Sequence, residues 1–407
     1  MIRTKSLPEQ IPGAILELYH KQMVEELHSI LQYWMQHTID ATNGGFYGKV
    51  DNNNMADAHA PKGAVLNARI LWTFSAAYNL TRQPGYLQVA NRAYQYITEY
   101  FIDRKYGGTY WSVNYKGEPL ETKKQVYAQA FLLYACSEYY LCTHNEAIKA
   151  NAQKLYRQIE KHSFDRQYTG YFEAFTREWQ PLADLRLSDK DANEKKSMNT
   201  HLHVLEAYSS LYKIWPTAEL KRSITLLLHN FSEHIAGTNG HLHLFFDECW
   251  RVKDDIISYG HDIEAAWLML EAAVAIGDNQ LIDNCKFLAI NIAQAVQAGL
   301  DADGGLWYEK QGDNLIKEKH WWPQAEAMVG FYNAWQIKGD THYLNLSLRV
   351  WQFIQAYIKI NTQDEWYWGI DDNGQPMQGK DKAGFWKCPY HNSRACMEII
   401  KRIGINL

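Results

Sequence analysis

The sequence predicts an all-α fold, an (α/α)6 barrel in which six inner and six outer helices are joined by short β-hairpins. The first observation behind this prediction is a glycine-centred turn that recurs six times along the 407 residues. The second is a pair of helical patterns between successive turns. The third is that no linker rich in proline, glycine and serine interrupts the repeat. We therefore expect a single domain that spans residues 1–407.

Each of the six turns has a glycine followed by aromatic or apolar residues, which is typical of a short strand that enters a hairpin. Successive glycines lie about 62 to 70 residues apart, so the period is close to 64. A period this long and regular indicates a structural repeat. The marking glycines are Gly45, Gly108, Gly170, Gly240, Gly305 and Gly369.

The two helical patterns that follow a turn differ in the arrangement of their apolar residues. Residues 61–80 are apolar on nearly every side, as in a helix that is buried all round. Residues 84–102 carry one apolar stripe at a spacing of three and four, with polar residues between. The first pattern predicts an inner helix and the second an outer helix. One helix before the first turn, near residues 14–38, and one after the last, near residues 382–402, complete the twelve.

Composition excludes several classes of function. The net charge of −5 is spread along the chain, so there is no basic surface that would bind nucleic acid. No stretch reaches the roughly 18 apolar residues of a membrane span. The six cysteines form no C-x-x-C pair, which favours reduced thiols. We expect a cytoplasmic monomer or weak homo-oligomer without nucleic-acid or membrane partners, acting on a small molecule.

Polar and aromatic residues recur near the start of the predicted inner helices. Most lie about 17 to 24 residues after the marking glycine of their repeat. His203 lies further along, because a charged insertion at residues 184–196 precedes it. Residues at one phase of a toroid share one end of the barrel, so we expect them to meet. They are Arg69, Tyr127, His203, His261, Glu264, Trp322, Glu326 and His391.

These residue types favour proton transfer beside a carbonyl group. His261 and Glu264 are three residues apart, so a carboxylate can orient an imidazole on one helix face. Arg69 lies in an apolar helix and must either find an ion-pair partner, such as Glu264 or Glu326, or line a wet cavity. Asn199 either contacts substrate or caps its helix. Histidines and an arginine together can remove a proton, return it and neutralise an enolate oxygen.

The sequence predicts neither a metal nor a cofactor. His201 and His203 could ligate a metal, but no H-E-x-x-H motif and no cysteine accompanies them. A P-loop and a Rossmann fingerprint are also absent. Proton transfer next to a carbonyl requires no such group.

Five segments resemble the N-acylglucosamine 2-epimerase superfamily, and the resemblance extends over nearly the whole chain. It implies an (α/α)6 barrel that epimerises C2 of the reducing-end glucose of a β-1,4-linked disaccharide without a cofactor. Cellobiose would give glucosyl-mannose and lactose would give epilactose, each through a cis-enediolate. The segments are residues 62–72 (KGAVLNARILW), 198–206 (MNTHLHVLE), 258–264 (SYGHDIE), 321–326 (WWPQAE) and 389–394 (PYHNSR).

The resemblance also implies a role for each matching residue. His261 and His391 would be the acid and base on opposite faces of C2. Arg69 and His203 would hold the enediolate, and Glu264 would support His261. The sequence leaves open which indole of residues 321 and 322 faces the cavity. The expected substrate contacts are Tyr127, Asp191, Asn199, Trp321, Trp322, Glu326 and Trp386.

Other functions remain open from the sequence. An aldose–ketose isomerase, or an epimerase of N-acylglucosamine or another monosaccharide, would use the same barrel and histidines. A glycoside hydrolase would need two carboxylates across the scissile bond, whereas histidines dominate these segments. A non-catalytic sugar-binding module would keep the tryptophans but would have no use for two histidines.

Overall fold

The computed structural model describes residues 13–359 and 364–404, and helices that alternate between an outer and an inner layer dominate it. Odd-numbered helices are outer and even-numbered helices are inner. In chain order they are α1 (Gly13–His37), α2 (Ala64–Thr81), α3 (Pro84–Tyr96), α4 (Val126–Thr143), α5 (Glu146–His162), α6 (Met198–Ile214), α7 (Ala218–Asn230), α8 (Tyr259–Ile276), α9 (Asn279–Val296), α10 (Trp321–Lys338), α11 (Thr341–Phe353) and α12 (Tyr390–Gly404).

The inner helices form a closed ring. Each packs against the next along the chain, and α12 packs against α2. Outer helices pack on the inner helix that precedes them, except that α1 packs against α12. The two ends of the chain therefore close the barrel together. The predicted (α/α)6 barrel is confirmed.

Short antiparallel strands connect the repeats. The first five inner helices each begin directly after a strand, and that strand pairs with one from the following turn. The N-terminal ends of the inner helices therefore share one rim. The strands are β1 (Lys62–Gly63), β2 (Ser112–Val113), β3 (Pro119–Glu121), β4 (Lys124–Gln125), β5 (Ala174–Phe175), β6 (Lys196–Ser197), β7 (Phe245–Phe246), β8 (Ile256–Ser258), β9 (Glu309–Gln311), β10 (Asn314–Ile316), β11 (Lys319–His320) and β12 (Gly369–Ile370).

Helix boundaries agree with the sequence patterns except at the last inner helix. The pattern at residues 84–102 is α3 followed by a π-helical turn at Ile97–Phe101. The last helix begins at Tyr390, so the predicted start near residue 382 is wrong. Proline disfavours helical geometry in the residue before it, so Pro389 keeps Cys388 out of the helix. Residues 382–389 instead form a loop, and this loop carries Trp386.

A buried lysine stands two residues before four of the inner helices. Each lysine pairs with an aspartate at the preceding turn, at an Nζ–Oδ2 distance of 2.8 to 3.0 Å. The pairs connect the start of these four inner helices to the neighbouring turns. They therefore hold the N-terminal ends of the helices at one level in the barrel. They are Lys62 with Asp40, Lys124 with Asp103, Lys196 with Asp165 and Lys319 with Asp301.

Replacing Lys196 with methionine should lower the free energy of unfolding by about 3–5 kcal/mol, because it leaves a buried aspartate without its cation. The Lys196 ammonium also donates to the carbonyls of Thr169 and Glu248 at 2.7 Å. The exposed Lys21–Glu25 pair provides a control, since Lys21→Met should cost less than about 1 kcal/mol. Urea unfolding measures both. Equal losses in the two variants would contradict a structural role for the repeated pair.

The structure also bears on the expected cellular setting. All six cysteines are free thiols. Across residues 13–359 and 364–404, no helix combines the length and apolar character needed to cross a bilayer.

Candidate active site

A cavity of about 320 Å³ opens at the rim where the inner helices begin. All six inner helices contribute side chains to its wall, and so do the loops that carry Asp191 and Trp386. A volume of this size suits a small ligand. Eleven of the expected site residues line it, namely Arg69, Tyr127, Asp191, Asn199, His203, His261, Glu264, Trp321, Trp322, Trp386 and His391. Glu326, the remaining expected residue, does not border the cavity. Its carboxylate lies within hydrogen-bond distance of Nδ1 of His391.

Position along the inner helices explains this convergence. The sixth residues of α2, α6, α8 and α10 all carry a charge or an imidazole. Since these helices start at one rim, residues at the same distance from the start lie at one height in the barrel. The residues in this layer are Arg69, His203, Glu264 and Glu326.

His261 is the third residue of α8 and is half-buried. Its Nδ1 lies 2.8 Å from the hydroxyl of Ser258, and its ring centroid lies 4.6 Å from that of Trp322. Burial, followed by the positive charges of His203 and Arg69, lowers the pKa of His261 to about 3. The imidazole is therefore neutral near pH 7 and can act as a base.

His391 is the second residue of α12 and is buried. Its Nδ1 lies 2.7 Å from Oε1 of Glu326 and 3.9 Å from Oε1 of Glu264. Burial lowers the pKa of His391 well below its ordinary value, and Arg69 and Arg394 add to this effect. Burial also raises the pKa of Glu326, so the two groups share protons as one unit.

The two histidines are close enough to act on one carbon atom. The ring centroid of Trp322 lies 4.6 Å from that of His261 and 5.7 Å from that of His391. The two imidazole centroids are therefore no more than about 10 Å apart. A separation within this limit is compatible with one reacting carbon about 3–3.5 Å from each base.

His203 completes a set of three histidines that border the cavity. Its Nδ1 lies 3.0 Å from Oε2 of Glu206, one turn further along α6. In all three histidines the described contacts occupy Nδ1 and leave Nε2 without a hydrogen-bond partner among the described residues. The free nitrogen can therefore exchange a proton with a ligand or hydrogen-bond to it.

Arg69 makes no ion pair with a carboxylate in the described part of the chain, so the alternative structural pairing with Glu264 or Glu326 is wrong. Its Nη2 donates to the hydroxyl of Tyr127 at 2.8 Å, and its guanidinium lies 4.2 Å from the ring centroid of Phe131. This buried cation borders the cavity and can bind a developing oxyanion.

Glu264 does not hydrogen-bond to His261 in the described residues, contrary to the expected support. Its carboxylate accepts from Nη2 of Arg394 at 2.5 Å, and that nitrogen also donates to Glu326 at 2.7 Å. The spacing of three residues places His261 and Glu264 on one helix face, but the stronger partner of Glu264 is on α12. Burial, followed by repulsion from Glu326, raises the pKa of Glu264 to about 7.

The sequence places the Arg394 guanidinium within one turn of His391, but Arg394 was not among the expected site residues, although it is the centre of this cluster. Arg394 bonds to Glu206, Glu264 and Glu326, which come from three different inner helices. Although burial opposes ionisation, Arg394 keeps the pKa of Glu206 low, at about 2. Arg394 thus links Glu206, which bonds to His203, with Glu326, which bonds to His391. A signal was present, since Arg394 and Glu206 each follow a cavity histidine by three residues.

The ligand atoms of Glu264, Glu326 and His391 lie within 4.8 Å of one another, a spacing that could hold a metal ion. Arg394 already donates to both carboxylates, however, and Glu326 already bonds to the imidazole. The guanidinium therefore supplies the positive charge that this carboxylate pair requires.

His201 has a structural role, whereas Asn199 lines the cavity. His201 is the fourth residue of α6, and both its ring nitrogens are bonded, Nδ1 to the carbonyl of Ser197 and Nε2 to the backbone N–H of Tyr171. It therefore has no nitrogen left for a metal. Asn199 does not cap the helix, because Ser197 does so. Its side-chain oxygen is buried and has no hydrogen-bond partner among the described residues, and the residue lines the cavity.

Both tryptophans at the start of α10 border the cavity, in different ways. Trp321 is buried, and its ring lies 4.5 Å from that of Trp368. Trp322 is half-buried, and its ring contacts both His261 and His391. Trp386 is also half-buried, with its ring 5.8 Å from that of Trp111. Exposed indole faces of this kind can stack on sugar rings.

Asp191 belongs to the inserted segment at residues 184–196. Its Oδ2 accepts from the backbone N–H and the hydroxyl of Ser188, at 2.8 and 2.9 Å. Gln125 holds the same segment by donating to the carbonyls of Leu185 and Arg186. The segment therefore forms an ordered wall of the cavity.

Known proteins share this architecture over the whole chain. A cellobiose 2-epimerase from Bacteroides fragilis is 47% identical over 94% of this chain and 99% of its own length. One from Dictyoglomus turgidum is 37% identical over 95% of this chain and 100% of its own length. The solved structure of cellobiose 2-epimerase from Bacillus thermoamylovorans B4167 superposes with a TM-score of 0.91 at 40% identity, covering 95% of this chain and 100% of that one.

The sequence pattern of the N-acylglucosamine 2-epimerase family matches residues 45–395. This match contains every residue that lines the cavity, from Arg69 on α2 to His391 on α12. The predicted family is confirmed by the match and by relatives that align from end to end. The chain belongs to the N-acylglucosamine 2-epimerase family.

Proposed function

We propose that this protein epimerises C2 of the reducing-end glucose in β-1,4-linked disaccharides, converting cellobiose to glucosyl-mannose and lactose to epilactose. The observation that carries the proposal is the pair of imidazoles, His261 and His391, which border one cavity with a free Nε2 each. The cation of Arg69, which has no carboxylate partner among the described residues, borders the same cavity. The similar cellobiose 2-epimerases support the choice of a disaccharide.

The geometry accounts for the two proton transfers that epimerisation requires. The open-chain sugar has a C1 carbonyl that makes the C2 hydrogen acidic. One imidazole Nε2 takes this proton, and the electron pair moves to the carbonyl oxygen to give a cis-enediolate that Arg69 and His203 stabilise. The other imidazole returns a proton to the opposite face of C2. The C1 carbonyl re-forms as this proton arrives. The sugar neither gains nor loses electrons overall, so no cofactor is needed.

Product analysis tests the proposal directly. After incubation with cellobiose or lactose, we expect glucosyl-mannose or epilactose as the main product on chromatography against standards. A ketose as the main product would show instead that the proton returns to C1, as in an aldose–ketose isomerase. Free monosaccharides would show hydrolysis. Either outcome would overturn the proposal.

Trp386 should determine the preference for a disaccharide. An indole at the cavity wall can bind the second pyranose, and binding energy from this remote ring can orient the reacting one. We therefore expect kcat/KM for cellobiose to exceed that for glucose, and Trp386→Ala to reduce it mainly for cellobiose. Steady-state kinetics with both sugars measures the ratio.

The control for this variant is Trp307→Ala. Trp307 is a half-buried tryptophan outside the cavity, where its indole N–H bonds to Asp301. This variant should leave the ratio of the two kcat/KM values unchanged. Equal efficiency on glucose and cellobiose, with both variants acting alike on the two sugars, would contradict a sugar-stacking role for Trp386.

A further inference from the structure

Two serines at equivalent places in the repeat use their hydroxyls differently. Ser197 and Ser258 each stand directly before an inner helix, α6 and α8. The hydroxyl of Ser197 accepts from the backbone N–H of Thr200 at 3.1 Å, the ordinary bond of a helix cap. Ser258 makes no such capping bond, and its hydroxyl lies 2.8 Å from Nδ1 of His261. In this repeat the Ser258 hydroxyl therefore bonds to the imidazole and not to the backbone of the helix.

The two catalytic candidates therefore have partners of opposite character. Glu326 behind His391 is a carboxylate, which favours a proton on the pair as a whole. Ser258 behind His261 is a neutral hydroxyl that can donate to Nδ1 or accept from it. A hydroxyl satisfies a neutral imidazole and offers no negative charge to an imidazolium. Because burial raises the pKa of Glu326, the His391–Glu326 pair binds a proton more readily than His261 does.

The other groups around His261 increase this difference. Burial opposes a proton on His261 most strongly, followed by the interactions with His203 and Arg69. The carboxylate of its own helix, Glu264, bonds to Arg394 instead. The charged or titratable groups that face His261 across its two cavities are Arg69, Tyr127, Glu173, Arg186, Lys190, Asp191, Glu194, His203, Glu264, Tyr308, Glu309, Glu318, His320, Lys380 and His391.

His261 also borders a second cavity, of about 450 Å³, which His391 does not reach. This cavity lies between the 184–196 segment and strands β8 to β10, and its wall includes Glu173 and Glu309. The half-buried imidazole of His261 can thus exchange a proton with water on this side. His391 is only 4% exposed, and its Nδ1 bonds to the buried carboxylate of Glu326.

We propose that Ser258 is a positioning residue that orients His261 without supplying a negative charge. His261 then stays the proton-poor member of the catalytic pair, while the His391–Glu326 pair carries the proton for delivery. The inference rests on the proposed function. When His261 acts as base, the C2–H bond breaks, the proton passes to its Nε2 and the electron pair moves to the C1 oxygen. The C1 oxygen then re-forms the carbonyl, the electron pair of the C1–C2 double bond takes the proton from Nε2 of His391, and that N–H bond breaks. Afterwards His261 releases a proton to water and the His391–Glu326 pair takes one up.

Substitutions at Ser258 test this assignment. In Ser258→Asp a carboxylate replaces the neutral hydroxyl, so the imidazolium of His261 should persist to higher pH. We expect the acid limb of the kcat/KM profile to move up by about 1 to 3 pH units. Ser258→Ala should lower kcat by about 10-fold or more with little change in KM, because nothing then orients the ring. Its acid limb should stay where it is in the unsubstituted enzyme.

Ser197→Ala is the matched control, since it should lower Tm through the lost cap while leaving the shape of the pH profile unchanged. Nitrogen-15 NMR of labelled histidines, with His261 assigned from His261→Asn, follows protonation without turnover. This readout also separates failure of the inference from failure of the proposed function, which wild-type product analysis decides. Wild-type kcat in Ser258→Ala, or an unmoved His261 titration in folded Ser258→Asp, would overturn the proposal.

Discussion

Replacement of either His261 or His391 by alanine is expected to lower turnover at least about 10²-fold. Each imidazole presents a free Nε2 to the cavity, and epimerisation needs a proton removed from one face of C2 and supplied to the other. Neither neighbouring residue can substitute, because Ser258 is a weak base and Glu326 does not border the cavity. Initial rates on cellobiose, with Tm as a check on folding, measure the effect.

His201→Gln provides a histidine control outside the catalytic pair. In α4 and α10 the fourth residue is a glutamine, Gln129 or Gln324, which bonds to the backbone of its turn. His201 makes the corresponding bond in α6, so glutamine can replace it. This variant should keep most of its activity. Near wild-type turnover in His261→Ala or His391→Ala would contradict the assignment of that residue.

Arg69→Met is expected to lower kcat by about 10²–10³-fold, the loss typical of removing one donor to an oxyanion. Arg69 is a buried cation without a carboxylate partner in the described residues, so its charge is available for the enediolate. Because an uncompensated buried charge is costly, the methionine variant should unfold no more easily than the wild type. Arg69→Lys keeps the charge without the planar fork and should recover only part of the rate.

Kinetics and urea unfolding of the same Arg69 variants separate a catalytic from a structural role. A large loss of kcat with unchanged stability supports binding of the enediolate. Retained activity combined with a large loss of stability would show that Arg69 only supports the barrel.

The fold was predictable because the repeat signal is long-range and regular. Six glycine turns at one period, each followed by an all-round apolar helix and a one-sided helix, leave few alternatives to a closed ring. The start of the last inner helix was misjudged because apolar periodicity continues through the loop at residues 382–389, and only Pro389 marks the true boundary. The paired lysines and aspartates share the same period and could have been found in the sequence.

The sequence predicted which residues belong to the site better than it predicted the hydrogen bonds and ion pairs among them. Phase along the repeat and the resemblance to the family together identified eleven of the residues that line the cavity, but missed others, such as Lys190, Tyr308 and Trp368. Partnerships between helices were not predictable, because spacing along one helix gives only its face. Glu264 accordingly pairs with Arg394 across the ring, and His261 bonds instead to Ser258, three residues before it in the chain. Such choices depend on tertiary packing.

Proton exchange at C2 is the most direct measure of the central claim, that these histidines remove and return a sugar proton. The enzyme is incubated with cellobiose in D2O, and NMR follows the reducing-end sugar. We predict deuterium at C2 of the glucosyl-mannose product, and no such labelling with His261→Ala or His391→Ala over the same period. Epimer formed without deuterium at C2 in the wild type, or labelling that persists in both variants, would contradict the account.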